Sequence, residues 1–440
     1  MTDQSIATQD LSPEVIARAE ALKVEANKLF KDHHFQAAIS AYDQAIELNP
    51  NVAAYYSNRA LAHIRMESFG YAVSDADKAL EVDPTFFEKA IASDEDVRSA
   101  VDALGDIDSI VVEESYAGPR LEADGTVTPE FVLALMDHFK DQKMLHKKFA
   151  YQILVQAKRR FEAMKSLIHI AVPSSGRLTI CGDTHGQFYD LLHIFELNGV
   201  PSPTNTYLFN GDMVDRGSFS VEIIFTLLAW SLAYPDPDCV VYMARGNHEA
   251  LDMNRMYGFE GEVKHKFNPA TFNVFTEVFN AMPLVHIVSE KLFVVHGGLP
   301  STDGVTLEQI EKINRFRQPT GNDIMNDLLW ADPQEHPGRG PSKRGTGFQF
   351  GPDVTRRFLE LNNLDMVIRS HEVKENGYEI THDGKCVTIF SAPNYCDAVG
   401  NLGAYIHVSP SLELKYEQFE AVPHPDVSPM KYSPMRGFGG

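Results

Sequence analysis

Three glycine-bounded segments bring carboxylate, amide and imidazole groups close together in this chain: GDTHG at 182–186, GDMVDRG at 211–217 and GNHE at 246–249. Two more histidines stand in similar surroundings further along, in KLFVVHGG and LDMVIRSHE. Hard oxygen donors mixed with imidazole are suited to divalent metal ions. The candidate metal ligands are Asp183, His185, Asp212, Asn247, His296 and His371.

Asp212 is the candidate for a ligand shared by two ions, because a carboxylate has two oxygens. A two-metal centre holds the attacking and leaving oxygens of a displacement and makes a bound water acidic enough to attack. A single Gly-Asp pair is usually a turn, and a single histidine at a strand end is usually a rim residue. Five such loops along one chain favour a metal site over a series of ordinary turns.

The elements that must position these donors are short strands. RLTIC, TYLFN and VVYMA precede the three segments, and such runs indicate buried strands that end in tight loops at one sheet edge. The flanking glycines allow positive φ and close backbone approach. The sequence of residues 131–164 predicts amphipathic helices. Beyond it, the pattern predicts alternating helices and strands to about Asn363 and mainly strands after that. We interpret residues 93–127 as an opening strand and loop, and the sequence from Pro425 as a frayed tail.

The segments GDTHGQ, GDMVDRGSFSVE, RGNHE, HGGL, RSHEV and SAPNYC resemble the signature series of the serine/threonine protein phosphatases of the phosphoprotein phosphatase family. The resemblance extends over about residues 92–430. It implies a metallophosphoesterase β-sandwich flanked by α-helices, and therefore an α+β class for the whole chain. It also implies that Asp183, His185 and Asp212 hold one ion, and that Asp212, Asn247, His296 and His371 hold the other.

The resemblance assigns the remaining polar groups to catalysis and substrate binding. His248 matches the general acid that protonates the leaving oxygen, and Asp215 matches the carboxylate that orients it. Guanidinium groups pair with phosphate oxygens bidentately, and a carboxylate beside an imidazole keeps it charged and aimed. The residues implied to contact the substrate are Arg216 and Arg344, which match the phosphate-gripping pair, with Tyr395 as a lid residue and Asn247.

The implied reaction is hydrolysis of phosphoserine and phosphothreonine monoesters by a hydroxide held between two divalent ions. Mn²⁺ is the expected metal, and the same donors accept iron or zinc. None of the four cysteines lies in a Cys-x5-Arg loop, so a cysteine nucleophile is not expected. Two alternatives stay open at this point: a metal-dependent phosphodiesterase or nuclease, and an inactive adaptor that binds through the amino-terminal repeats described next.

The amino-terminal part repeats with a period of 34 residues, as shown by Ala26 and Ala60 and by Pro50 and Pro84. That period is typical of tetratricopeptide (TPR) repeats. We predict a disordered segment at 1–16, a TPR domain at 17–91, a catalytic domain at 92–430 and a tail at 431–440. The TPR domain contains repeats at 19–52 and 53–86 and a capping helix. The side chains expected between its helices are Leu22, Leu29, Tyr42, Ile46, Tyr56, Leu61 and Leu80.

A third repeat is expected near Phe87 and is absent, which bears on the partners. In the family, a TPR clamp grips the terminal carboxylates of the chaperone Hsp90. Lys23, Asn27 and Asn58 match clamp positions, but the two basic residues expected from a third repeat have no counterpart. The resemblance therefore implies weakened chaperone binding. It also implies autoinhibition, in which Glu67 reaches the phosphate-gripping arginine.

Composition excludes several other classes. The formal charge of −22 argues against nonspecific nucleic-acid binding, because phosphate backbones need basic surfaces. Four cysteines without a paired spacing indicate a reducing compartment, and we expect a cytoplasmic and nuclear location. The polar start MTDQSIATQD does not resemble a signal peptide, and the apolar run near 223–233 is too short to span a membrane.

Overall fold

The computed structural model describes residues 12–31, 34–66, 69–83, 99–234, 239–321 and 323–434. The chain divides into two compact units, Met1–Ser99 and Ala100–Gly440. Glu67 and the predicted capping helix near Phe86 lie outside the described residues. No helix in the described part of the chain is long and apolar enough to cross a membrane.

The described residues of the first unit form four helices, and each helix packs against the next. Alanines of the 34-residue repeat, such as Ala26, Ala38 and Ala79, are buried, so that the helices approach closely. The first helix begins four residues before the predicted domain start, so 13–16 is helical where disorder is predicted. The helices are α1 (Pro13–Lys31), α2 (Phe35–Leu48), α3 (Ala53–Arg65) and α4 (Phe69–Val82).

The prediction that two of the leucines lie between these helices is wrong. Leu61 and Leu80 are 46% and 44% exposed, whereas Tyr42, Tyr55 and Tyr56 are buried. Leu61 directly follows a buried alanine on α3, and Leu80 does the same on α4. Because successive helical residues are about 100° apart, Leu61 and Leu80 are rotated away from the face on which these alanines are buried. Aromatic side chains fill the space instead.

The second unit contains fourteen strands within the described residues, arranged mainly in two sheets. The orders are β1-β5-β6-β10-β12-β11 and β14-β13-β2-β3-β4, and a small third sheet has the order β7-β9-β8. The strands are β1 (Leu167–Ile170), β2 (Arg177–Cys181), β3 (Asn205–Phe209), β4 (Val241–Met243), β5 (Val285–Val288), β6 (Leu292–Val295), β7 (Asp332–Pro333), β8 (Arg339–Pro341), β9 (Phe348–Phe350), β10 (Met366–Arg369), β11 (Tyr378–Thr381), β12 (Cys386–Ile389), β13 (Gly403–Val408) and β14 (Leu414–Phe419).

The two large sheets share a core of aliphatic side chains, as a β-sandwich requires. Ile180, Leu208 and Ile406 of one sheet pack in the same cluster as Val294 and Ile368 of the other. Helices cover the outer faces, which confirms the predicted architecture. They are α5 (Pro129–Lys140), α6 (Lys147–Glu162), α7 (Phe188–Asn198), α8 (Ser220–Ala233), α9 (Leu251–Tyr257), α10 (Phe259–Lys266), α11 (Pro269–Ala281), α12 (Leu307–Glu311), α13 (Ile324–Trp330) and α14 (Pro352–Asn362).

Parallel pairing brings the polar loops to one edge of the sandwich. β2, β3 and β4 run parallel, and so do β6 and β10. The carboxyl ends of parallel strands lie at the same edge of a sheet, where open α/β sheets bind ligands. Each predicted donor segment follows one of these five strands. The sequence prediction of strands that end in loops at one sheet edge is confirmed.

Two other expectations are corrected. Among described residues 99–127 there is no strand, only a 3₁₀ turn at Asp102–Leu104, since this acidic segment lacks the alternation that a strand needs. The tail is also packed as far as 434: Ser433 is buried and its hydroxyl donates to the carbonyl of Met256. Proline and glycine content predicts fraying only where no tertiary contact opposes it.

Candidate active site

An open cleft of about 1410 Å³ lies where the five strand-end loops meet. His296 is fully buried beneath it, and Asp215 is buried behind His248. The predicted residues that line it are Asp183, His185, Asp212, Arg216, Asn247, His248, Arg344, His371 and Tyr395. The structure therefore brings together every site residue predicted in the second unit.

Five of these residues have backbone conformations that side chains other than glycine seldom adopt. The φ angles are 38° at His185, 51° at Asp212, 71° at Asp215, 68° at Arg216 and 70° at His371. Such strain persists only where the surrounding structure fixes it, and it concentrates at functional sites. The tight loops turn these five side chains into or beside the cleft.

The donor atoms converge around the Asp212 carboxylate. Its Oδ2 lies 3.6 Å from Nε2 of His185 and 3.3 Å from Nε2 of His296. Asp183 Oδ2 lies 3.6 Å from the same nitrogen of His185. His296 Nε2 is also 2.8 Å from Asn247 Oδ1 and 3.2 Å from a ring nitrogen of His371. Asp212 thus stands between two groups of potential ligands.

Backbone carbonyls settle which histidine nitrogens face this centre. Nδ1 of His185 lies 2.9 Å from the carbonyl of Val214, and Nδ1 of His296 lies 2.9 Å from that of Asn210. A carbonyl only accepts, so each Nδ1 carries a proton and Nε2 is the nitrogen left for an ion. Although burial opposes it, the carboxylates of Asp212 and Asp183 raise the pKa of His296 to about 9, so the proton on its Nε2 would be displaced when an ion binds. His371 Nε2 is buried with no hydrogen-bond partner in the described structure, and its Nδ1 lies towards His296.

The charges of the site fit cations in that space. Burial, followed by the neighbouring Asp212 carboxylate, raises the pKa of Asp183. Burial lowers the pKa of His185 to about 3, which keeps the imidazole neutral as a ligand must be. Two buried carboxylates and several neutral imidazoles form a donor set that divalent ions would stabilise. The residues present therefore fit a two-metal centre.

His248 and Asp215 form a buried pair beside the donors. His248 Nδ1 lies 2.8 Å from Asp215 Oδ2, and the other side of the ring faces His185, with ring centres 4.7 Å apart. His248 also groups with His185 and Asp212 as a set of atoms near enough for one ion. The carboxylate on Nδ1 distinguishes it from His185 and His296, whose Nδ1 atoms face backbone carbonyls. This arrangement suits proton transfer.

The two arginines are held differently. The guanidinium of Arg216 lies 3.8 Å from the ring centre of Tyr257, and its buried Nε has no hydrogen-bond partner among the described residues. Arg344 donates from Nε to Asp332, at 2.7 Å, and from a terminal nitrogen to the carbonyl of His371. Stacking and ion pairing fix both groups while leaving N–H donors for an anion.

Tyr395 lies over His185, with ring centres 5.2 Å apart. Burial raises the pKa of Tyr395 well above its ordinary value, so the hydroxyl stays protonated and is able to donate a hydrogen bond. The ring also packs edge-on against Phe390, at 5.2 Å between ring centres. These contacts place a neutral donor at the cleft wall.

Sequence reasoning missed three residues that support the site. Glu249, inside the GNHE motif, accepts backbone N–H groups from Asp212, Met213 and Gly246 at 2.8–2.9 Å. Asp332 pairs with Arg344, and the N–H of Met430 donates to the carbonyl of Arg216 at 2.7 Å. The motif signalled Glu249, but nothing local signals the other two, because their contacts bridge distant parts of the chain.

The predicted peptide-binding residues lie in the first unit and contact their own neighbours. Lys23 pairs with Glu20, whose carboxylate also accepts from the hydroxyl of Tyr55. Asn58 donates to Oδ1 of Asn27 at 3.0 Å. The two amides therefore lie side by side, and the lysine charge is already matched by a carboxylate.

Comparison with known proteins gives two family matches. A model described as calcineurin-like phosphoesterase matches residues 176–375, and one described as the PPP5 TPR repeat region matches residues 77–169. Serine/threonine-protein phosphatase 5 of Homo sapiens is 50% identical over 471 aligned positions, which cover 95% of this chain and 93% of the human protein. Those positions exceed the 440 residues of this chain, so the human protein has segments without a counterpart here.

Relatives from fungi agree. Serine/threonine-protein phosphatase T of Schizosaccharomyces pombe is 47% identical over 94% of this chain and 97% of its own length. A solved structure of a Saccharomyces cerevisiae protein serine/threonine phosphatase with similarity to human phosphatase PP5 is 42% identical, with a TM-score of 0.66. It covers 69% of this chain and is itself covered completely.

Proposed function

Because this chain belongs to the family of serine/threonine-protein phosphatase 5, we propose that the side chains of its cleft carry the roles that the family resemblance implies. The chain is a protein-serine/threonine phosphatase, a hydrolase of phosphoserine and phosphothreonine monoesters. A divalent two-metal centre is a property of this phosphoesterase family. The phosphodiesterase, nuclease and inactive-adaptor alternatives are not favoured by these relatives.

The proposed ligands are Asp183, His185 and Asp212 for one ion, and Asp212, Asn247, His296 and His371 for the other. The position of Asp212 Oδ2, within 3.6 Å of one histidine and 3.3 Å of another, supports a bridging role. When bound, two divalent ions acidify water and neutralise phosphate oxygens. We propose Mn²⁺ in this site, and iron or zinc are the ions that the same donors would also accept.

His248 is proposed as the general acid and Asp215 as the carboxylate that orients it. The observation that carries this assignment is the 2.8 Å contact between His248 Nδ1 and Asp215 Oδ2 inside a buried site. Because Nδ1 keeps its proton and donates a hydrogen bond to the carboxylate, the imidazole presents Nε2 to the cleft. A proton at that atom would pass to the serine or threonine oxygen as it leaves.

Arg216 and Arg344 are proposed to bind the phosphate, with Tyr395 and Asn247 as further substrate contacts. A phosphomonoester carries two negative charges, and planar guanidinium groups match its oxygens. The unpartnered Nε of Arg216 supports this role, because a buried donor without an acceptor is unfavourable until a ligand supplies one. The pairing of Arg344 with Asp332 holds that side chain in place for the same ligand.

The test compares two phosphate esters with Mn²⁺ added. The full chain should hydrolyse a phosphoserine peptide and turn over bis-p-nitrophenyl phosphate much more slowly. A diester carries one negative charge, so it would use the two arginines less well. Faster turnover of the diester than of the phosphopeptide would contradict the proposed substrate-binding roles. His248→Asn should lose about 10²- to 10⁴-fold in turnover while retaining bound metal.

For the first unit we propose protein binding through TPR repeats, with weakened affinity for an Hsp90-type carboxyl terminus. Lys23, Asn27 and Asn58 would supply the clamp. Support comes from the Lys23–Glu20 pair, which reduces the positive charge available to an acidic peptide, and from the absence of a third repeat in the sequence. Titration with a peptide ending in EEVD should give weak binding. Tight binding would contradict the proposal.

Two further proposals concern regulation and location. Glu67 would act in autoinhibition as a carboxylate that competes with phosphate for Arg216, and the enzyme would be found in the cytoplasm and nucleus. The four cysteines, none in a paired spacing, fit a reducing compartment. Fractionation of cells that express the full chain tests the location, and recovery in a secreted fraction would contradict it.

A further inference from the structure

Asn254, in α9, lies between the two members of the proposed proton-transfer pair. Its Nδ2 is 3.1 Å from Asp215 Oδ2 and 2.6 Å from the backbone carbonyl of His248. The residue is 1% exposed, so water does not compete for these contacts. One amide group therefore contacts both the carboxylate that orients the imidazole and the backbone that carries the imidazole.

The chemistry of the partners settles the orientation of this amide. A carboxylate and a carbonyl both accept hydrogen bonds, so only the NH₂ end of Asn254 suits them. The opposite end, Oδ1, is then buried without a hydrogen-bond partner in the described structure. An unsatisfied buried oxygen is unfavourable and calls for an explanation. A side chain selected for packing alone would not need an amide at this position.

The Asp215 carboxylate is fixed on both oxygens. Oδ1 accepts from the backbone N–H of Phe259 at 2.9 Å, and Oδ2 accepts from His248 Nδ1 and from Asn254. Without Asn254, Oδ1 would keep the N–H of Phe259 and Oδ2 would keep His248 as its remaining partner among these contacts. Oδ2 and the imidazole would then be free to shift together, because no contact outside the pair would hold that oxygen in place.

We propose that Asn254 is a positioning residue for general-acid catalysis: its amide locks the Asp215 carboxylate and the His248 backbone in the geometry that aims the imidazole at the leaving oxygen. The inference rests on the proposed role of His248 as the acid. It predicts a defect confined to reactions that need a proton on the leaving group. Asn254 does not touch the phosphate-binding arginines in these contacts, so substrate affinity should be retained.

The experiment measures kcat and KM of the full chain, with Mn²⁺, on a phosphoserine peptide and on p-nitrophenyl phosphate. Serine is a poor leaving group that needs protonation, whereas nitrophenolate leaves readily without it. Asn254→Ala should lower kcat about 10- to 100-fold on the peptide and less than about threefold on the aryl ester, with KM within about twofold on both. Asn254→Asp keeps the shape but replaces the donor with an acceptor, and should show the same selectivity.

Asn198→Ala is the matched control, because Asn198 is also a buried asparagine but bonds Thr179 and Tyr207, away from the cleft. It should affect both substrates equally. Equal losses on both substrates in both folded Asn254 variants would overturn the inference, since a purely structural role gives that result. His248→Asn separates the two claims. If it discriminates between the substrates and Asn254 variants do not, only this inference fails; if it does not discriminate, the acid assignment fails first.

Discussion

At the residue scale, the site depends on side chains that bind other loops as well as on those that face the cleft. Glu249 is an example, because its two oxygens accept three backbone N–H groups from the loops that carry Asp212 and Asn247. In return, the N–H of His248 donates to Asp212 Oδ1 at 2.8 Å. The two loops are thus joined in both directions, and these hydrogen bonds hold the proposed bridging carboxylate in place.

Glu249→Gln should weaken metal binding. The substitution replaces one acceptor oxygen with an NH₂ group that would face backbone donors, so the Asp212 loop would shift. Changes of this kind behind metal ligands typically lower affinity about 10- to 100-fold. The measurement is the Mn²⁺ concentration that gives half-maximal turnover of a phosphoserine peptide, together with calorimetric titration of the metal.

Glu262→Gln is the matched control for this prediction. Glu262 is also a buried glutamate that accepts backbone N–H groups, but those groups belong to Ser220 and Val221 at the start of α8. The control should lower the melting temperature and leave Mn²⁺ affinity near that of the parent. Unchanged metal affinity in a folded Glu249→Gln protein would show that the loop geometry does not depend on this carboxylate.

At the element scale, α8 and α10 are joined by a buried charge cluster. Lys266 Nζ lies 2.6 Å from Glu222 and 2.8 Å from Glu262, and all three side chains are less than 10% exposed. Glu262 accepts the first N–H groups of α8, while the hydroxyl of Ser220 accepts from the N–H of Asp215. The cluster therefore connects helix packing to the loop that holds the proposed proton-transfer pair.

Lys266→Met should destabilise the second unit by about 3–5 kcal/mol, because it leaves two buried carboxylates without their cation. Burial already raises the pKa of Glu222, and loss of Lys266 would raise it further. A carboxyl group whose pKa is higher in the folded than in the unfolded protein stabilises the folded state at pH values below the unfolded pKa. This stabilisation is lost as the pH rises through the folded pKa, because the buried carboxyl group then becomes charged. The melting temperature of Lys266→Met should therefore fall further below that of the parent at pH 8 than at pH 5. Lys266→Arg keeps the positive charge, so its melting temperature should stay near that of the parent. If the melting temperature of Lys266→Met falls by the same amount at both pH values, the electrostatic explanation is contradicted.

The carboxyl-terminal segment is a second element that reaches the site. Met430 has a φ of 53°, and its N–H donates to the carbonyl of Arg216. Met430→Pro removes this donor and cannot adopt positive φ. Loss of one hydrogen bond, about 1 kcal/mol, should raise the KM for a phosphoserine peptide roughly fivefold.

Met430→Gly keeps the N–H and accepts the same φ, so its KM should stay close to the parent value. Equal values for both variants would show that this contact does not position Arg216.

These contacts also show what a sequence can predict. The strand runs and the glycine-bounded loops specify the sheets and the convergence of Asp183, His185 and Asp212, because periodicity and turn chemistry are local. The contacts of Asp332 and Met430, and that of Asn254 with Asp215, depend on packing between distant segments, for which a single sequence has no local signal. The prediction that Leu61 and Leu80 lie between the helices is wrong for a related reason: a 34-residue period locates helices but not the buried face of each.

At the scale of the whole molecule, the chain joins a phosphatase unit to a TPR unit for which the sequence predicts two repeats. TPR units gain stability by stacking on neighbours, so a shorter array has fewer interfaces to bury. Within the described residues, Arg59 of α3 bonds Asp43 of α2 and Asp75 of α4. This ion-pair network holds three consecutive helices together and gives the short array a defined shape.

If the TPR unit inhibits the phosphatase unit, the full chain should turn over a phosphoserine peptide more slowly than a chain restricted to 100–440. A carboxylate at Glu67 would compete with substrate phosphate for Arg216, so inhibition should appear mainly in KM. Couplings between sites are typically about 1–3 kcal/mol, which corresponds to a gain of about fivefold or more on removal of residues 1–99. Glu67→Gln in the full chain should give most of that gain, while Glu47→Gln, on α2, controls for loss of a single charge. Equal rates for the full and shortened chains would mean that the repeats do not inhibit. If shortening increases the rate but Glu67→Gln does not, inhibition depends on another residue of the first unit.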